Sequence, residues 1–296
     1  MNSAVDLTTP LEAHFTHHYV RTQGMRIHCV TAGVGAPVLL VPGWPQTWYA
    51  YRHVMQALAV QGYMAIAIDP PGLGDSDRPE HGYDTGSVAN ILHQTMKQLG
   101  FNHYHLVGHD VGMWIAYALA SDHPEAVWTM TVTEAVIPGL AEAPPIFVSP
   151  EDNIFLWHFM FNQVSDLPEL LITGRESAYL NFMFDRWAFK RHRVASETYI
   201  QAYSKPGSLR GGFAYYRAIP ETILQNKQRA RRSLTMPVLA LGAEYATKDA
   251  PLLTLKNHAS DLQGAVIAQC GHFVMEEAAD EFIHHLLPFL RANVRG

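Results

Sequence analysis

The chain has 296 residues, of which 48% are hydrophobic and 16% charged, with a formal net charge of −6. This supplies a large core for one elaborated domain or a domain with an insertion. The acidic balance, with no basic stripe to release counterions, excludes nucleic acid as the main partner. Cys29 and Cys270 are the only cysteines, so there is no disulfide framework and no metal-binding pair. Residues 1–9 lack the charged flank and apolar run of a signal peptide, and no stretch reaches membrane-spanning length. A cytoplasmic protein is expected, or a secreted or periplasmic one if a leader has been removed.

Short β-type apolar runs alternate with helical stretches through the first half. Residues 25–31 and 37–41 read as strands, 45–61 as a helix, 64–68 as a strand and 87–99 as a helix. Residues 103–107 follow as a strand, 113–122 as a helix and 128–133 as a strand. The alternation predicts the α/β class, a mostly parallel sheet flanked by helices. After Glu134 the pattern changes. Pro138, Pro144, Pro145 and Pro150 interrupt the chain, and the stretch beyond them is helical and dense in aromatic residues. Strand-like runs return only at 237–241 and 264–268, before a closing helix at 279–292. The expected organisation is a first core segment at 1–138, an all-helical cap at 139–230 and a second core segment at 231–296.

In an open α/β sheet the ligand site lies beyond the carboxyl ends of the strands. Five segments fall at such ends: Pro42-Gly43-Trp44-Pro45, Gly72-Leu73-Gly74, Asp110, Glu134 and Gly271-His272. Asp110 is the most informative. It sits in Gly108-His109-Asp110-Val111-Gly112, a Gly-x-nucleophile-x-Gly turn between strand and helix that pushes its central side chain outward. A carboxylate there can attack an sp3 carbon and form an ester that water can later cleave, whereas serine would leave an ether. The neighbouring His109 is expected to be structural. His272, after a strand-terminal glycine, suits a general base. Such a base needs an acid to hold its tautomer; Glu134 is favoured, with Asp249 or Glu244 as alternatives. The backbone N–H groups of Trp44 and Val111 are candidates for an oxyanion hole, and Trp44-Pro45 is a candidate cis peptide. Gly72-Leu73-Gly74-Asp75-Ser76 lacks the lysine of a phosphate loop and reads as a turn. The remaining histidine clusters lack HExxH spacing, so no metal and no organic cofactor is expected.

These motifs together resemble the α/β-hydrolase family, and among its members the epoxide hydrolases and dehalogenases with an aspartate nucleophile. The resemblance spans nearly the whole chain, through Val41-Pro42-Gly43-Trp44-Pro45, Asp69-Pro70-Pro71-Gly72-Leu73-Gly74-Asp75-Ser76, Gly108-His109-Asp110-Val111-Gly112 and Gly271-His272-Phe273. Leu156-Trp157-His158-Phe159, Ser204-Lys205-Pro206, Tyr215-Tyr216-Arg217 and a glutamate after the sixth strand look most like the Cif-like bacterial epoxide hydrolases. That likeness implies that His158 and Tyr216 hydrogen-bond the epoxide oxygen. It implies a small-molecule epoxide as partner, and a homodimer. Trp44, Trp157, Phe159, Tyr215 and Phe273 are the expected substrate-contacting side chains.

The chain departs from the family in three places. Pro42 stands where histidine usually precedes the glycine of the His-Gly-x-Pro motif. Val111 stands where fluoroacetate dehalogenases carry an arginine for the substrate carboxylate, and Phe159 where they carry a halide-binding tryptophan. The last two departures disfavour haloacid dehalogenation. The expected function is epoxide hydrolysis to a vicinal diol. Haloalkane or haloacid dehalogenation by the same Asp110, and a non-catalytic ligand receptor on a hydrolase fold, are the alternatives.

Overall fold

Apolar runs too short for helices and too continuous for a half-wet sheet build the centre of the molecule. Val38, Leu39, Leu40 and Val41, like Leu106 and Val107, are fully buried, as strands covered on both faces must be. The computed structural model describes residues 15–142, 145 and 147–293; residues 1–9 and Pro144, on which expectations above rest, lie outside them. The strands are β1 (Thr16–Thr22), β2 (Met25–Ala32), β3 (Ala36–Val41), β4 (Tyr63–Ile68), β5 (Tyr104–His109), β6 (Val127–Thr133), β7 (Val238–Ala243) and β8 (Leu262–Ile267). They form one sheet in the order β1-β2-β4-β3-β5-β6-β7-β8. The β1–β2 and β2–β4 pairs are antiparallel and all others parallel.

Helices α1 (Arg52–Val60), α2 (Thr85–Gln98) and α3 (Val111–Asp122) belong to the first half. Every residue of α3 from Val111 to Ala120 is buried, which explains why that helix is apolar all round. Between β6 and its sheet neighbour β7 the described residues make six α-helices: α4 (Pro150–Gln163), α5 (Leu167–Ile172), α6 (Glu176–Trp187), α7 (Ser196–Tyr203), α8 (Ser208–Arg217) and α9 (Ile219–Arg229). Then come α10 (Ala250–Leu255), α11 (Val274–Glu277) and the closing α12 (Ala279–Ala292).

Two expectations needed correcting. The helix expected over 45–61 begins only at Arg52. Gln46 N–H closes a turn on the Gly43 carbonyl (2.8 Å), and Trp48–Tyr51 is a single 3-10 turn capped by the Thr47 hydroxyl. Strand β1 was not anticipated. It is an edge strand whose residues are mostly exposed, so it carries little apolar signal, and it reaches β2 through Gln23 and Gly24, both with positive φ. The Gly72–Ser76 segment is a turn, as expected. Asp69 organises it by accepting from the Asp75 N–H (3.1 Å) and Trp48 N–H (2.7 Å), while pairing with His28 (2.7 Å).

Candidate active site

Strand β5 ends at His109 and α3 begins at Val111, so the whole reversal falls on Asp110. Its backbone is forced to φ 54°, ψ −121°, a strained conformation for a residue with a side chain. The turn closes this tightly because its neighbours are glycines. A Cβ on Gly112 would overlap the Val41 carbonyl oxygen, and one on Gly43 would overlap the Asp110 side chain. The strain throws the carboxylate over the carboxyl end of the sheet. There the Trp44 N–H donates to Oδ1 (2.9 Å), and the Val111 N–H also reaches the carboxylate. The Trp44–Pro45 peptide is cis.

The second oxygen, Oδ2, lies 3.7 Å from His272 Nε2. His272 Nδ1 lies 3.3 Å from Glu134 Oε2. Glu134 ends β6 with a positive φ of its own (66°), and its other oxygen accepts from the Ala243 N–H and the Thr247 hydroxyl, both at 2.6 Å. With Glu134 fixed in this way, His272 presents Nδ1 to the acid and Nε2 to Asp110. Glu244, the alternative acid, instead accepts from the Gln269 N–H (2.8 Å) on the surface. Asp249 stands at the start of α10 without a side-chain capping bond, and neither is among the partners of His272. The His272 loop is held on two further sides: its N–H donates to the Trp187 carbonyl (2.8 Å), and His109 Nε2 donates to its carbonyl (2.8 Å).

Burial raises the Asp110 carboxyl to about 6, against the opposing pull of His272 and the two backbone N–H groups. Burial pulls His272 the other way, but the Glu134 hydrogen bond and the Asp110 charge outweigh it, and its pKa rises. Each group thus holds the other in its charged form within a dry site.

The inserted helices close over this group. Trp44 is fully buried, with His158 of α4 stacked on it (5.6 Å between centroids, 8° between planes) and Tyr216 of α8 edge-on (5.6 Å). His158 and Tyr216 meet at 5.3 Å. Burial lowers His158 to about 3, so it is neutral. Burial and then the Asp110 charge push the Tyr216 phenol well up, so it keeps its proton. Phe159 packs on Tyr216 (5.5 Å) and Trp114 (6.2 Å) at the edge of the same cluster.

Three expected substrate contacts are placed differently. The Tyr215 hydroxyl donates to the Pro71 carbonyl (2.7 Å) and its ring meets Tyr83, so it faces the Gly72 turn and not Asp110. Adjacent helical positions diverge by about 100°, and Tyr216 takes the inward one. Trp157 packs among Phe161, Tyr179 and Phe182, lining a groove of the inserted helices. Phe273 is fully buried between His272 and Phe184, as support for the histidine loop. Sequence reasoning in turn missed Trp187, whose ring lies 4.8 Å from His158 and 5.3 Å from His272. It also missed Tyr203, edge-on to Trp44 at 6.4 Å.

Residues 36–279 match the family described as alpha/beta hydrolase fold. The chain is 32% identical over 286 residues to a soluble epoxide hydrolase from Corynebacterium sp. (strain C12), covering 94% of this chain and 98% of that protein. Among solved structures, Cfl2 from Burkholderia cenocepacia is similar with a TM-score of 0.90 at 36% identity, covering 93% of this chain and 96% of that one. Epoxide hydrolase CorEH, solved without ligand, gives a TM-score of 0.87 at 31% identity, covering 94% and 99%. With one family model matching most of its length and relatives aligned almost end to end, this chain belongs to the alpha/beta hydrolase fold family.

Proposed function

We propose that the protein hydrolyses epoxides to vicinal diols through an ester on Asp110, with core segments 1–138 and 231–296 carrying the nucleophile, acid and base, and segment 139–230 acting as the cap. The observation that carries this reading is the division of labour on the Asp110 carboxylate. The Trp44 N–H holds one oxygen, and the other faces His272 Nε2 across 3.7 Å, with the neutral donors His158 and Tyr216 packed on Trp44 alongside. The likeness to epoxide hydrolases supports the choice of substrate.

In the first step Asp110 Oδ2 attacks an oxirane carbon and the ring C–O bond breaks. The departing oxygen stays on the substrate and takes its proton from His158 or Tyr216. Esterification removes the Asp110 charge, and with it part of what raises the His272 pKa. His272 therefore gives up its proton more readily as its turn as base arrives. In the second step it takes a proton from water, the hydroxide adds to the Asp110 carboxyl carbon, and Oδ1 bears the oxyanion facing the Trp44 and Val111 N–H groups. Collapse expels the diol, which receives the proton from the imidazolium that Glu134 steadies, and the proton left on the regenerated Asp110 carboxyl returns to the His158 or Tyr216 that gave the first one. A cytoplasmic location and a homodimer, the latter implied by the resemblance alone, complete the proposal.

Intact-protein mass after incubating His272→Ala with an epoxide panel tests it. The expected result is an adduct of the whole epoxide mapped to Asp110. A folded variant that forms no adduct with any epoxide would overturn the proposal. Haloalkane dehalogenation, the second reading, is favoured by one observation, the buried Trp44 indole N–H without a protein partner. Chloride release from haloalkanes, with no turnover of epoxides, would put it first.

A further inference from the structure

Tyr203 closes α7 with its side chain 2% exposed and its hydroxyl without a protein partner. Its ring stands edge-on to Trp44, the residue whose N–H holds Asp110. Gly212 of α8 leaves the space where the two meet: a Cβ there would lie 2.9 Å from Tyr203 Oη and 3.1 Å from Trp44 Cδ1. The Asp110 charge adds to burial in holding the Tyr203 phenol protonated, which places the hydroxyl within the field of the nucleophile. The indole N–H of Trp44, next to the Cδ1 that meets Gly212, is likewise buried and without a protein partner.

A phenylalanine would fill this volume without leaving a buried hydroxyl to satisfy, and such a group is unfavourable until a ligand or solvent meets it. The other tyrosines around Trp44 are occupied. Tyr179 donates to Asn162 Oδ1 (2.6 Å), and in the proposed reaction Tyr216 serves the oxirane oxygen. Tyr203 and the Trp44 indole are therefore a second pair of donors, and an indole N–H can only donate. What completes the pair is an acceptor that does not belong to the oxirane ring.

We propose that Tyr203 Oη and Trp44 Nε1 form an acceptor-binding point beside Asp110. The preferred substrates are then oxiranes carrying an ether, hydroxyl or carbonyl oxygen on the substituent next to the ring, in preference to plain hydrocarbon oxides. This rests on the epoxide reading above and narrows it. A site built to hydrogen-bond a substituent discriminates against the analogue lacking it, because its own buried groups are then left unpaired.

The test compares (ethoxymethyl)oxirane with butyloxirane, which differ by an ether oxygen in place of one methylene, on the wild-type protein and on Tyr203→Phe. The wild type is expected to prefer the ether in kcat/KM, and Tyr203→Phe to lower the ether-to-hydrocarbon ratio about tenfold, the loss of one buried hydrogen bond. Denaturant midpoints check that both proteins are folded. A ratio unchanged in Tyr203→Phe, or an equal loss on both substrates, overturns the inference and leaves epoxide hydrolysis standing. A wild type that opens neither oxirane overturns this inference, and the epoxide reading falls with it only if His272→Ala also forms no Asp110 adduct with any epoxide.

Discussion

Two of the carboxylates around His272, Glu277 and Asp110, are built in opposite ways. Glu277, in α11, is fully buried, and its two oxygens accept from four backbone N–H groups: Phe189 and Lys190 (both 2.7 Å), Gly271 (3.1 Å) and Phe273 (2.9 Å). It ties the histidine loop to the segment after α6. Asp110 sits on a strained backbone, has one oxygen held and presents the other to His272 across 3.7 Å. Burial alone therefore says little about the role of a carboxylate. Filled acceptor sites make Glu277 an anchor, while an oxygen turned toward His272 and a raised pKa fit the nucleophile proposed at Asp110.

The sharpest way to break this contrast is to neutralise each in turn. Asp110→Asn is expected to lose about a thousandfold or more in turnover, since no carboxylate remains to form the ester. It should also gain stability at pH 7. The Asp110 carboxyl stands at about 6 in the folded protein against an ordinary 3.8, so the fold binds this proton more tightly than the unfolded chain does. Stability is then lost as pH rises from about 4 through about 6. Removing the charge restores about 1–3 kcal/mol, read as a higher denaturant midpoint. Glu277→Ala should do the reverse, lowering stability by about 3–5 kcal/mol because four N–H groups lose their acceptor. If Asp110→Asn proved less stable than the wild type, the reading of Asp110 as a strained, unsatisfied group would fail.

The contrast also shows what was legible before any coordinates. Asp110, Glu134 and His272 each follow a strand end, and in a parallel sheet sequence order and strand end suffice to bring them to one edge. The side chains that close the site do not have that property. Trp187 and Tyr203 come from helices packed in an irregular layer, where nothing local says which face turns inward. Tyr215 and Tyr216 are neighbours with identical side chains, and only the packing of α8 sends one hydroxyl to Pro71 and the other ring to Trp44. Glu277 was equally silent, because its partners at Phe189 and Lys190 lie 88 and 87 residues away. The same limit explains β1, whose edge position asks for no apolar period.

A smaller effect follows from ionisation. A protonated carboxyl cannot attack an oxirane, so kcat/KM should fall about tenfold per pH unit once the pH drops below about 6, where Asp110 takes up its proton. Glu134→Gln removes a charge that itself raises Asp110 slightly, but it also weakens the support of the imidazolium, whose larger opposing pull is then lost, so this acid limb should move to higher pH. A limb that stayed near the ordinary carboxylate range in both proteins would mean that Asp110 is solvated in solution.

The smallest effect distinguishes neighbours on one helix. Tyr215→Phe removes only the hydrogen bond to the Pro71 carbonyl, and should lower stability by about 1 kcal/mol while turnover stays within about twofold. Tyr216→Phe removes a proposed donor to the opening oxygen and should slow ester formation by about ten- to a hundredfold, with little change in the denaturant midpoint. Rapid-quench measurement of the ester, alongside unfolding curves for both variants, separates the two roles. Swapped behaviour would show that the packing of α8 in solution is rotated from the one described, and with it the assignment of which tyrosine faces Asp110.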